Sequence, residues 1–231
     1  VALRGRPPYR QVLTHGFVMD GEGRKMSKSL GNVIAPQEVL RRHGADILRL
    51  WVASSDYRED VRISETILEQ VADAYRKIRN TCRFLLANLY DFQPARDRVD
   101  PAQWPELDRW AWERTRQLVA QVSEAYEASR FHEAFRAIYQ FCVVDLSACY
   151  LDALKDRLYT ERSDSGKRRC AQTVLCDILS ALTRVLAPIL PVTTEDVWQS
   201  LRQAGAVEDP SVHLAAWPDW SSASPDPQLI Q

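Results

Sequence analysis

Glycine and proline are placed so unevenly along the 231 residues that they divide the chain before any other property is considered. Six of the eight glycines lie in residues 1–44 and none occurs between Ala45 and Ser165, while no proline occurs from Glu106 to Ala187. Glycine weakens a helix through the backbone entropy it loses on folding, and proline through its missing N–H and its ring. The sequence therefore predicts a short turn-rich head followed by a long helical body. The expected fold class is mainly α: a helical bundle preceded by a short α/β segment with a β-hairpin and a mobile loop.

Lys and Arg number 30 against 31 Asp and Glu, and 45% of residues are hydrophobic. That balance describes a soluble globular chain of one or two domains and excludes disordered, collagenous and disulfide-stapled classes. No run approaches the roughly 20 apolar residues of a membrane span. The opening Val1-Ala2-Leu3-Arg4 carries neither an initiator Met nor a signal or transit segment. A cytoplasmic protein without a membrane partner, cut from a longer chain, is the expectation. Cys82, Cys142, Cys149, Cys170 and Cys176 include no Cys-x-x-Cys pair and no His at ligand spacing, so free buried thiols are expected and a metal site is not. His15, His43, His132 and His213 are scattered and receive no catalytic role.

Residues 1–42 hold eight Lys and Arg against three acids, an excess that suits either a polyanionic partner or a solvated face. Gln11 to Met19 is a β-rich run that meets the turn cluster Asp20-Gly21-Glu22-Gly23, which predicts a hairpin. Pro36 suits the first position of a short helix closed by Gly44, although Ala35 offers no cap, and Asp46 supplies acidic charge to a second helix over Ile47 to Ala53. Ser64 is a good cap for the clearest helix. Its apolar face is Ile67, Val71, Ala74, Ile78, Cys82, Leu85 and Leu89, and another face carries Arg76, Arg79, Asn80 and Arg83. Further stripes run from Leu107 to Ala125, through Phe135, Ile138, Cys142, Leu146 and Cys149, and from Ala171 to Val185. Thr193-Thr194-Glu195-Asp196 has the form of a capping box for a last helix. Trp110, Trp112 and Trp198 are expected in the core.

Lys25-Met26-Ser27-Lys28-Ser29, set between Gly23 and Gly31, puts two ammonium groups and two hydroxyls on a loop able to close around a polyphosphate. A solvated basic turn fits the same residues, and no Walker A pattern occurs. The five residues match the signature loop of class I aminoacyl-tRNA synthetases. Thr14 to Val18 before it and Leu30 to Ile34 after it extend the match. The ordered segments Gly44 to Ser54, Asp56 to Ser64, Tyr75 to Leu86, Tyr150 to Tyr159, Arg168 to Leu175 and Leu186 to Pro191 resemble the isoleucyl branch of that family.

The resemblance implies the end of a Rossmann-type catalytic domain over residues 1–32, a stem-contact segment over 33–64, a helical anticodon-binding domain over 65–205 and a C-terminal linker over 206–231. It implies ATP-dependent formation of isoleucyl-adenylate and transfer to isoleucine tRNA by a monomeric enzyme, with Mg2+ accompanying ATP and no zinc in this part. Lys25 and Lys28 would be the catalytic residues and Lys25, Met26, Ser27, Lys28 and Ser29 the ATP-binding set. Arg76, Arg79, Asn80, Arg83, Lys167, Arg168 and Arg169 would bind tRNA. Salt bridges to Asp145, Asp152 and Asp156 are the alternative for the first four. Lys167 to Arg169 open a helix, where the macrodipole disfavours cations, so either a phosphate or a carboxylate must offset them. The family's His-x-Gly-His motif, isoleucine pocket, editing domain and Cys-rich zinc segment would lie elsewhere, so the isolated chain is not expected to aminoacylate. A stand-alone RNA-binding helical module and a valyl or leucyl relative are the other readings.

Overall fold

A computed structural model describes Gly5 and residues 7–220; Arg4 and Arg6 of the basic head and the Ser- and Pro-rich tail from Ser221 lie outside the described residues. The head contains strand β1 (Val18–Met19), a 3-10 turn (Lys28–Leu30), helices α1 (Pro36–His43) and α2 (Ala45–Ser54), and strand β2 (Val61–Arg62). The body contains α3 (Glu65–Ala87), α4 (Pro94–Asp97), a 3-10 turn (Pro101–Gln103), α5 (Glu106–Glu127), α6 (Phe131–Gln140), a π-helix (Phe141–Tyr150), α7 (Leu151–Ala153), α8 (Lys155–Tyr159), α9 (Gly166–Leu186) and α10 (Pro191–Gln203). The bundle and its short α/β head are as the sequence predicts. The hairpin, however, is reduced to one antiparallel bridge between Met19 and Lys25. β1 pairs instead in parallel with β2, Val18 opposite Val61 and Met19 opposite Arg62. Gly16 permits that approach: its N–H donates to Tyr57 O at 2.8 Å, and a Cβ there would lie 2.2 Å from Glu59 O.

Ser64 caps α3 as expected, its Oγ accepting from Ile67 N at 3.2 Å. The helix buries Leu68, Val71, Ala72, Ile78, Cys82 and Leu85 and leaves Arg76, Arg79, Asn80 and Arg83 exposed. α9 is buried on nearly every side and packs against α3, α5, α8 and α10. Two expectations fail at the far end. α10 begins at Pro191, before the supposed capping box, and Thr194 Oγ1 donates back to Leu190 O at 2.8 Å. The free N–H groups of Val192 and Thr193 are met by Asp46, from 146 and 147 residues away, at 3.3 and 2.8 Å. Residues 206–220, expected as linker, are fastened to the bundle: Trp198 Nε1 donates to Asp209 O, Trp217 Nε1 donates to Ser123 Oγ, and Trp220 stacks on Trp112 at 4.8 Å.

By length and composition Phe131–Ala153 is apolar enough to cross a membrane, contrary to the sequence reading, but here it contributes Ile138, Cys142, Leu146 and Tyr150 to the core. Those four recur at intervals of four, which on an α-helix of 3.6 residues per turn would drift by about 40° per step. The wider π turn, with its i to i+5 bonds, holds them on one side. Ser147 Oγ donates to Cys142 O at 2.7 Å across that turn. Tyr150 therefore occupies the buried position expected for Cys149, which is exposed. Burial pushes the Cys82 thiol up to about 12 and the Cys176 thiol up to about 11. One thiol of the five, Cys149, is expected to react with a disulfide reagent in the native protein, and a Cys149→Ser variant should show none until it is unfolded.

Asp108 is fully buried at the start of α5, and its carboxylate accepts from Tyr150 Oη at 2.7 Å and from both terminal nitrogens of Arg157 at 2.7 and 2.8 Å. This bidentate pair ties α5 to the π-helix and α8. Asp108→Ala leaves a largely buried guanidinium without its carboxylate, an expected loss of about 3–5 kcal/mol in urea denaturation.

Candidate functional site

The lysine loop is latched at its base by two side chains. Asp20, buried at the end of β1, accepts from the backbone N–H of Glu22 and Arg24, from Arg24 Nε at 2.9 Å and from Asn32 Nδ2 at 2.9 Å. Asn32 also accepts from Ser27 N at 2.9 Å and donates to Lys25 O at 3.3 Å, so one amide joins both arms of the loop. The hydrogen bond from Asn32, followed by those from Arg24, holds the Asp20 carboxyl well below the usual carboxylate range. Between the arms, Ser27 caps the short turn Lys28–Leu30, its Oγ accepting from Leu30 N at 3.2 Å and lying 3.1 Å from Ser29 Oγ. Gly31, at φ +65°, closes it in the left-handed region. Met26 is half-buried against the core, while Lys25 and Lys28 are exposed. Lys25 Nζ lies 5.7 Å from the Phe17 ring centre, and Lys28 Nζ has no ion pair or hydrogen bond among the described residues. Two exposed ammonium groups, neither in an ion pair among the described residues, on a latched base are a suitable arrangement for phosphate oxygens.

On α3, Arg76 pairs with Asp73 one turn earlier, whereas Arg79, Asn80 and Arg83 have no partner among the described residues. Two of the acids considered as alternatives pair elsewhere, Asp145 with Arg114 and Asp152 with Lys155. Beside this face, Lys77 Nζ donates to Tyr139 Oη at 2.9 Å.

A family model described as "Anticodon-binding domain of tRNA ligase" matches residues 108–230, and one described as "tRNA synthetases class I (I, L, M and V)" matches residues 1–64. The chain belongs to the anticodon-binding family of tRNA ligases. It is 57% identical over 230 residues to the isoleucine–tRNA ligase of Moorella thermoacetica, covering 99% of this chain and 24% of that protein. It is 53% identical over 218 residues to the isoleucine–tRNA ligase of Syntrophomonas wolfei, covering 94% of this chain and 23% of the relative. The chain thus spans about a quarter of the length of the curated relatives it matches. Two solved structures share the fold at a TM-score of 0.67: Agrobacterium radiobacter K84 agnB2 LeuRS in a ternary complex with tRNA and LeuAMS, and Mycobacterium tuberculosis methionyl-tRNA synthetase with methionyl-adenylate. The first is 23% identical, with 94% of this chain and 24% of that one covered; the second is 20% identical, with 86% and 41% covered.

In this chain the cations that open α9 are not a free surface patch. Arg168 is buried and pairs with Asp91 at 2.9 Å. Arg169 Nη1 donates to Asp91 O at 3.0 Å and to Gln172 Oε1 at 2.7 Å, and lies 3.6 Å from Asp97. The anion that offsets their position at a helix N-terminus is a protein carboxylate, so these two are corrected from RNA contacts to internal ties; only Lys167 is exposed. Sequence reasoning missed the Asp20 and Asn32 latch, whose only local signal is the Asp-Gly turn and an Asn directly after Gly31. Asn32→Ala is expected to reduce hydrogen-exchange protection at the Arg24 and Ser27 amides several-fold. Because the folded Asp20 carboxyl is lowered, its contribution is present above the unfolded value of about 3.9 and is lost as pH falls through the folded value. Protection in the unsubstituted protein should therefore persist from pH 7 to pH 4.

Proposed function

We propose that this chain is the part of an isoleucine–tRNA ligase that carries the ATP-phosphate loop and the tRNA anticodon-region bundle, in a soluble cytoplasmic monomer. The observation that carries the reading is 57% identity along essentially the whole chain to an isoleucine–tRNA ligase, with the lysine loop intact. The reaction is activation of isoleucine by ATP to isoleucyl-adenylate and pyrophosphate, then transfer of the isoleucyl group to the tRNA 3′ end. Lys28, with Lys25 assisting, offsets the negative charge that grows on the departing pyrophosphate; neither is a base or a nucleophile. Ser27, Ser29 and the loop backbone cradle the phosphates, and Met26 anchors the loop to the core. Mg2+ enters with the nucleotide, and the loop itself offers it no carboxylate. Val12, Leu13 and Phe17, large apolar side chains of one segment, are all exposed, which favours a further part of a catalytic domain over them and so this reading over a stand-alone module.

Arg76, Arg79, Asn80 and Arg83 on α3, with Lys167, supply the tRNA contacts in this proposal. In the full ligase, Lys28→Ala is expected to slow ATP–pyrophosphate exchange by about 2–4 kcal/mol of transition-state stabilisation, with folding and tRNA affinity unchanged. Arg83→Ala is expected to leave exchange intact, weaken filter binding of isoleucine tRNA and lower the salt dependence by about one phosphate contact. Exchange at an unchanged rate in the first variant, or undiminished binding in the second, overturns the corresponding assignment.

A further inference from the structure

A continuous series of polar contacts runs from the lysine loop to the cationic face of α3. The loop base is tied through Asp20 to β1, and β1 is zipped to β2, Val61 N donating to Phe17 O at 2.8 Å and Ile63 N to Met19 O at 3.0 Å. β2 is held to α2 by Trp51 Nε1, which donates to Arg62 O at 3.1 Å. α2 then grips the corner between α9 and α10 from both sides. Arg49 donates to Pro188 O at 2.7 Å and Ile189 O at 3.1 Å. Asp46, 7% exposed, accepts from the N–H groups of Val192 and Thr193 and from Thr193 Oγ1 at 2.5 Å. Thr193 Oγ1 is in turn 2.8 Å from Tyr75 Oη. A threonine hydroxyl has one proton, and the carboxylate takes it, so Tyr75 donates and Thr193 relays the order Tyr75 to Thr193 to Asp46. Tyr75 is the α3 residue directly before Arg76 and one turn before Arg79.

Resting on the function proposed above, we propose that Asp46, acting through Thr193 and Tyr75, is a positioning residue that fixes the tRNA-facing helix α3 relative to the lysine loop, and so governs isoleucyl transfer rather than adenylate formation. None of the three residues belongs to the phosphate loop or the cationic face. The carboxylate does two things that an apolar residue of the same size could not. It satisfies backbone donors at the N-terminus of α10, and it orients a hydroxyl toward α3. A bundle held at several hydrogen-bonded points presents its bound tRNA in one orientation to the catalytic side; one that rocks on apolar contacts alone presents a spread of orientations, and effective concentration at the reacting centre falls.

The test uses the full isoleucine–tRNA ligase with Asp46→Asn, Thr193→Val, Thr193→Ser and Tyr75→Phe. ATP–pyrophosphate exchange reads adenylate formation, filter binding reads tRNA affinity, and single-turnover transfer from preformed isoleucyl-adenylate reads the coupled step. Expected are exchange and tRNA affinity within about twofold of the unsubstituted enzyme, with transfer slowed about tenfold or more by Asp46→Asn and Thr193→Val, less by Tyr75→Phe, and restored by Thr193→Ser. Transfer at the unsubstituted rate in Asp46→Asn and Thr193→Val overturns the proposal. So does a uniform fall of exchange, affinity and melting temperature together, which is the mark of a merely structural residue; Tyr75→Phe, which keeps the ring, guards against misreading a folding defect. An unsubstituted enzyme that neither exchanges nor charges isoleucine tRNA overturns the parent reading instead, and is recognised before any variant is compared.

Discussion

A helix buried on nearly every side cannot take its polar requirements from water, and α9 is such a helix. Its hydroxyls turn inward on its own backbone, Thr173 Oγ1 donating to Arg169 O and Thr183 Oγ1 to Leu179 O. Its ends need outside help. At the start, Arg168 and Arg169 stand where the macrodipole repels them, and Asp91 and Asp97 supply the compensating charge. The adjacent Arg96 side chain holds the Asp97 carboxyl down to about 2, so it stays ionised through the neutral range. Just past the other end, Pro188 and Ile189 offer carbonyls that Arg49 of the head satisfies. The central helix thus fixes where the loop after α3 must lie and where α2 of the head must dock. The positions of both candidate sites follow from that docking.

What the sequence discloses and what it conceals differ by the range of the interaction. The extent of the helical body, the α3 stripe, the Ser64 cap and the loop between Gly23 and Gly31 are local properties, encoded within a few residues of where they act, and they were legible. Asp46 reads locally as first-turn acid on α2 and is so placed, yet its hydrogen bonds go to a helix about 146 residues later. Arg168 reads as a surface cation for the same reason: its partner, Asp91, lies 77 residues earlier. The stripe ending in Cys149 assumed 3.6 residues per turn, and one residue of misplacement arises because the backbone widens to a π turn there. The supposed capping box failed in the opposite way. Its residue types suit a helix start, but the helix begins earlier, on Pro191, and a distant carboxylate meets the free N–H groups of Val192 and Thr193 in its first turn.

The same contrast of near and far contacts limits where the lysine loop can move. Its arms are joined by Asn32, which bonds to Asp20, Lys25 O and Ser27 N, and Asp20 continues into a strand paired with β2. Motion that displaced Lys25 wholesale would have to break that set together. Beyond the latch, residues 28–31 are held by much less: two 3.2 Å backbone bonds, the Ser27 cap and a hydroxyl contact, with Leu30 exposed and Gly31 already left-handed. Few buried contacts and short-range bonds are the physical signature of a segment that opens at low cost. In the function proposed above, closure over a polyphosphate would be a movement of Lys28 and its turn about the fixed backbone of Lys25. The stem of one lysine would start from a held backbone position, while the second would be brought up as the phosphates fill the site. Glycine concentration in the head, which first divided the chain, is in this light a property of a four-residue turn and of Gly16 at the strand contact more than of the head as a whole.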